Sequence, residues 1–88
     1  MKILCLRAYA NGYRGLLEER ETYSFFQFTR QGRLTKLMTY DKAMFPNRRR
    51  FLGGMGKFMP RRFFFEKPVE VTTLTIAEMD GLCKQYCR

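Results

Sequence analysis

TYSFFQFTRQGRLTKLMTY, residues 22–40, is the stretch whose reading decides the fold. Residues 22–29 carry Tyr23, Phe25, Phe26 and Phe28, ring-bearing side chains that suit a pleated, half-buried surface. Gln31-Gly32 then supplies a turn, and residues 33–40 return as the second strand of a hairpin. A competing reading takes Leu34, Leu37, Met38, Met44 and Phe45 at helical spacing. The hairpin is favoured because Gly32 follows closely on a strong strand and because Thr35, Thr39 and Tyr40 prefer strands. On that reading the chain is built on an antiparallel sheet.

Working outward, residues 2–9 form a strand that is apolar on both sides. Leu4, Leu6 and Ala8 fall on one face and Ile3, Cys5 and Tyr9 on the other, the pattern of a central, buried strand. Asn11-Gly12 and Gly15 break the regularity, and residues 16–21 read as a short helical turn or a loop holding the acidic cluster Glu18, Glu19 and Glu21. Beyond the hairpin, Asp41 caps a short turn through Phe45, which Pro46 ends. Residues 47–62 show neither period; Gly53, Gly54, Gly56 and Pro60 point to a long irregular surface loop. Residues 63–73 regain strand character, with Val69, Val71 and Thr73 alternating against Glu70 and Thr72. Pro68 places this strand at an edge or on a bulge.

The C-terminus carries a capping box, Thr75-Ile76-Ala77-Glu78, with Leu74 and Met79 placed to staple the helix start. Ile76, Met79, Leu82, Cys83, Tyr86 and Cys87 then share one helical face. Gly81 weakens the helix by about 1 kcal/mol relative to Ala, so packing must hold it. The expected architecture is a single α+β domain over residues 1–88. It comprises a small antiparallel sheet of three to four strands, a C-terminal amphipathic helix on one face, and a long basic Gly/Arg/Phe loop at one end.

Bulk composition narrows the class. With 88 residues, 45% hydrophobic and 16% aromatic, the chain has material for one modest core and too much for whole-length disorder. Ile3-Leu4-Cys5-Leu6, between Lys2 and Arg7, falls short of a signal-peptide apolar region of about 7–15 residues. No run approaches the roughly 20 apolar residues of a membrane span, so no transmembrane segment is expected. Three cysteines, Cys5, Cys83 and Cys87, form no disulfide framework and fit a reducing, cytoplasmic setting.

Catalytic and metal chemistry find little support. The chain has no histidine, which removes the commonest general base and metal ligand. Cys83 and Cys87 are four apart, but a closed four-ligand site would need a carboxylate or another chain, and all three cysteines sit where a small apolar side chain is expected. Gly53-Gly54-Met55-Gly56-Lys57 invites comparison with a phosphate-binding loop. Phe51 stands where that motif has its first glycine, and Phe58 replaces the hydroxyl residue that would hold magnesium. Glu78 and Asp80 are explained by the helix start. The expectation is a protein that is not an enzyme, with no cofactor, no metal and no catalytic residue.

The charge is the positive signal. Of a net +9, residues 42–65 contribute Lys42, Arg48, Arg49, Arg50, Lys57, Arg61 and Arg62 and no acid. Phe51 and Phe58 lie among these cations and glycines as the rings best placed for partner contact. Phe63-Phe64-Phe65 follows; in a strand Phe63 and Phe65 share one face and Phe64 takes the other. An exposed face would offer its ring to a partner, but all three rings as core is the favoured reading. Cations with stackable rings suit phosphate contact plus base stacking. The expected function is a binding module that engages nucleic acid or a nucleoprotein complex through Lys42, Arg48, Arg49, Arg50, Phe51, Lys57, Phe58, Arg61 and Arg62. The alternative is a small inhibitor or adaptor of the phage-accessory, anti-CRISPR type. It would dock on an acidic or nucleic-acid-binding surface of a host protein.

Overall fold

The computed structural model describes residues 1–86. Its strands are β1 (Lys2–Tyr9), β2 (Gly12–Glu18), β3 (Thr22–Thr29), β4 (Leu34–Asp41) and β5 (Phe64–Glu70); its helices are α1 (Arg48–Gly54) and α2 (Ile76–Tyr86). The strands form one antiparallel sheet in the order β4-β3-β2-β1-β5. The α+β class stands as expected, but the sheet has five strands rather than three to four. No helix is long and apolar enough to cross a membrane.

The hairpin over residues 22–40 is present. Gly32 donates its amide to the Thr29 carbonyl at 2.9 Å and adopts φ 86°, where a side chain is strained. β3 and β4 then pair from Thr22 opposite Asp41 to Phe28 opposite Leu34, with Leu37 the extra residue of a bulge. Helical spacing within residues 34–45 therefore has no counterpart in the backbone.

The strand that the sequence concealed is β2. Tyr9 pairs with Gly12, so only Ala10 and Asn11 turn the chain between β1 and β2. The glycines that looked like breaks are sites of close approach. A Cβ on Gly12, at φ 146°, would lie 2.1 Å from the Phe28 carbonyl oxygen. One on Gly15 would lie 2.2 Å from the Cys5 carbonyl oxygen and 3.0 Å from the Phe26 ring. With both glycines in place, Tyr13 and Leu17 face one side and Leu16 and Glu18 the other.

Face assignment in β1 also departs from simple alternation. Ile3 pairs with Leu17 but Cys5 pairs with Leu16, which leaves Leu4 as a bulge residue. Ile3 and Leu6 consequently join one core cluster and Leu4 and Cys5 the other. On the other side of β1, β5 pairs at Phe64 and Val69 with a register shift between, and Pro68 falls within that irregular stretch of an edge strand.

Each face of the sheet has its own cover. On one, Ile3, Leu6, Tyr13, Leu17, Phe26 and Phe28 pack with Met79 of α2, and Ile76, Leu82 and Cys83 close around them. Thr75 caps α2 by accepting the Glu78 amide at 3.1 Å. The Glu78 carboxylate accepts the Thr73 hydroxyl at 3.2 Å, and Leu74 packs into the same cluster. On the other face, Leu4, Cys5, Leu16, Tyr23 and Phe25 are covered by Phe51, Met55 and Met59.

That second cover corrects the expectation of a long irregular loop. Asp41 does cap a 3-10 turn, Lys42–Met44, accepting the Ala43 amide at 2.9 Å. Asn47 then accepts the Arg50 amide at 3.0 Å and starts α1. Phe51, Met55 and Met59, four residues apart, form an apolar stripe, and Met59 continues the turn by donating to the Met55 carbonyl at 3.0 Å. Three glycines lower the intrinsic helix propensity, but burial of the stripe outweighs them.

A candidate polyanion-binding face

The face of the sheet under α1 is the basic one, and it is organised around one carboxylate. Glu18 ends β2 and is 8% exposed. It accepts Lys42 Nζ at 3.0 Å and the Arg48 guanidinium at 2.5 Å (Nε) and 3.2 Å (Nη2). The hydrogen bond from Arg48, with that from Lys42, holds the Glu18 carboxyl below its usual range although burial opposes this. The same bond raises the Arg48 pKa. Lys42 and Arg48 therefore anchor the start of the covering segment to the sheet.

Phe51 also belongs to folding. It is fully buried and stacks on Tyr23 with ring centroids 4.2 Å apart and planes 8° apart. Phe45 meets it edge-on at 5.3 Å. The expectation that Phe51 contacts a partner is corrected accordingly: as the first residue of the buried stripe, it has no surface to offer.

The remaining predicted residues are placed differently. Arg49, Arg50, Lys57, Phe58, Arg61 and Arg62 are all exposed. Arg49 and Arg61 line, with Arg48, a cleft of about 500 Å3 between α1 and β5, and Leu52, Phe64 and Glu66 line it too. Arg61 reaches it from the 3-10 turn Arg61–Phe63, which leads into β5. Arg62 lies 5.0 Å from the Phe63 ring centroid, and Lys57 lies 5.2 Å from that of Phe58, which is 41% exposed.

Two further cations share this face, Arg7 of β1 and Arg14 of β2. Arg7 stacks on Phe63 at 5.2 Å and Arg14 on Tyr9 at 4.8 Å. Both lie outside the basic run, and pairing them requires the β1–β2 register that the glycines obscured.

Counter-charge is scarce here. Among the described residues the ion pairs are Met1–Glu70, Lys36–Glu19, Lys42–Glu18 and Arg48–Glu18. Arg7, Arg14, Arg49, Arg50, Lys57, Arg61 and Arg62 thus share no carboxylate within that set. On the opposite face, by contrast, the Tyr13 hydroxyl donates to the Asp80 carboxylate. Burial first, and that bond second, push the Tyr13 pKa up to about 12.

Cys5 is buried in the core and Cys83 is half-buried on α2, while Cys87 lies outside the described residues. No group of three metal-ligating side chains converges among the described residues. The chain matches no protein-family model, no curated protein and no solved structure, so its function has to be read from this geometry.

Proposed function

We propose that the protein is a non-enzymatic module that binds nucleic acid on the α1–β5 face. The observation that supports this most is the cleft that Arg49 and Arg61 line with Phe64, without an ion-pair partner for either guanidinium among the described residues. Guanidinium groups match phosphate with paired donors, and an adjacent ring offers a stacking surface for a base. Arg50, Lys57 and Arg62 extend the positive field around the cleft. Lys42 and Phe51 support this face from beneath, and Arg48, tied to Glu18, also lines the cleft.

Fluorescence anisotropy with labelled single- and double-stranded oligonucleotides tests the reading. Contacts from four to six cations give a logarithmic salt slope of roughly −3 to −5. Arg49→Glu/Arg61→Glu should weaken binding at least about tenfold while leaving the thermal midpoint near that of the parent. Unchanged affinity in that variant would remove the cleft from the function.

The second reading, an inhibitor or adaptor that docks on an acidic or nucleic-acid-binding surface of a host protein, is favoured by one feature. Met44, in the turn leading to α1, is 69% exposed, the most exposed of the large apolar side chains among the described residues, and methionine is enriched at protein interfaces. Capture of one partner from nuclease-treated bacterial lysate, with no oligonucleotide binding and a shallow salt dependence, would select this reading.

A further inference from the structure

We infer that Arg7, Tyr9 and Arg14 form a seat for a single phosphate group, separate from the α1–β5 cleft. Arg7 and Arg14 are directly opposed across the β1–β2 ladder. Like charges at opposed positions of an antiparallel pair repel, and no carboxylate pairs with either among the described residues. Each gains a ring contact there, but neither gains a counter-charge. Arg14 spends only its Nε, on Gln27 Oε1 at 3.2 Å. The Tyr9 ring under Arg14 and the Phe63 ring under Arg7 place the two groups while leaving guanidinium N–H donors unspent.

The third member is Tyr9. Its hydroxyl is buried and has no hydrogen-bond partner among the described residues. A buried hydroxyl normally finds a partner, so the Tyr9 hydroxyl is a donor available to a group bound in the space it lines. Arg7, Tyr9 and Arg14, with Phe58 and Met59, line one partly open cavity of about 170 Å3. That is below the roughly 300 Å3 at which small-molecule sites begin, so it suits one compact anion better than a whole nucleoside. Two planar guanidinium groups and a phenolic donor around such a space recognise the oxygens of a phosphate by charge-assisted hydrogen bonds. Arg7 lies three residues, about 10 Å, along β1 from Leu4, which lines the cleft on the same side of the sheet. A phosphate held here could belong to a bound polynucleotide or be independent of one.

Inorganic phosphate is the probe that does not depend on the nucleic-acid reading. Phosphate, compared with chloride at matched ionic strength, should raise the thermal midpoint of the wild-type protein. Arg7→Gln/Arg14→Gln should lose that rise and bind phosphate at least about tenfold more weakly by calorimetry. Tyr9→Phe should weaken it several-fold without removing it. In the absence of phosphate the double variant should melt close to wild type, because the ring contacts and the Gln27 bond it loses are offset by relief of the repelling pair. A purely structural role for the arginines predicts a marked loss of stability and no phosphate response in the wild type.

The source of the phosphate is assigned with two short oligonucleotides, one 5′-phosphorylated and one ending in a hydroxyl. Dependence on Arg7 and Arg14 for the first alone identifies a terminal phosphate. Equal dependence for both identifies a backbone phosphate. Binding of inorganic phosphate with neither oligonucleotide identifies a free or small phosphorylated ligand. A phosphate response that survives in Arg7→Gln/Arg14→Gln, or no response beyond that to chloride in the wild type, would overturn the proposal.

Discussion

Glu18 shows how one side chain ties folding to the basic face. Its carboxyl is held below its ordinary value of 4.5, chiefly by the Arg48 hydrogen bond, so the folded state favours the ionised form. The stabilisation is complete above the unfolded value and disappears as pH falls through the depressed folded value. The thermal midpoint should therefore drop on acidification below about pH 4.5, and Glu18→Gln should flatten that dependence. At neutral pH, Glu18→Gln should cost about 1–3 kcal/mol. This is less than for a fully buried pair, because Lys42 and Arg48 are 28% and 36% exposed and partly screened. Arg48→Glu would set a second carboxylate against Glu18, so it probes stability before binding. Gly15 makes the matching point for the backbone. A methyl group there must displace the Cys5 carbonyl or the Phe26 ring, and Gly15→Ala should destabilise by about 3 kcal/mol in a denaturant titration.

At the scale of elements, legibility followed the source of each element's stability. The β3–β4 hairpin and α2 carry local signals, a glycine at positive φ in the turn and a Thr75 cap with its Leu74 contact, and both were readable. β2 and α1 are held by contacts distant in sequence. In β2 the glycines fit under Phe26 and the Phe28 carbonyl, which no local pattern reveals. In α1 and the turn after it the signal is only Phe51, Met55 and Met59 at one spacing, diluted by glycines and arginines. The basic run was therefore visible as charge but not as shape. Folding sorts it into an anchored pair, Lys42 and Arg48, a buried ring, Phe51, and an exposed remainder. The two phenylalanines proposed as contacts make the distinction measurable. Phe51→Ala should cost about 3–5 kcal/mol, as for a buried aromatic ring, and abolish binding only through unfolding. Phe58→Ala should leave stability within about 1 kcal/mol, and any loss of affinity would then come from the surface itself.

For the molecule as a whole, the two covers of the sheet do different work. α2 closes its face with apolar side chains and a tyrosine–aspartate bond. The segment from Lys42 to Phe63 closes the other with a thin apolar stripe and turns most of its cations outward. With a net charge of +9 and few ion pairs on that face, the folded state carries uncompensated repulsion that the expanded chain relieves. Salt shortens the reach of this repulsion, to about 8 Å at 0.15 M, while the sheltered Glu18 pairs are screened less. The thermal midpoint should therefore rise as sodium chloride is raised from low to physiological concentration. Over the same range affinity for an oligonucleotide should fall, because counterions compete for phosphate. Arg49→Gln/Arg61→Gln should make both responses shallower, since each removes charge from the same surface. A midpoint that falls with salt would mean that attraction dominates repulsion in the folded state, and the basic face would then be neutralised from within.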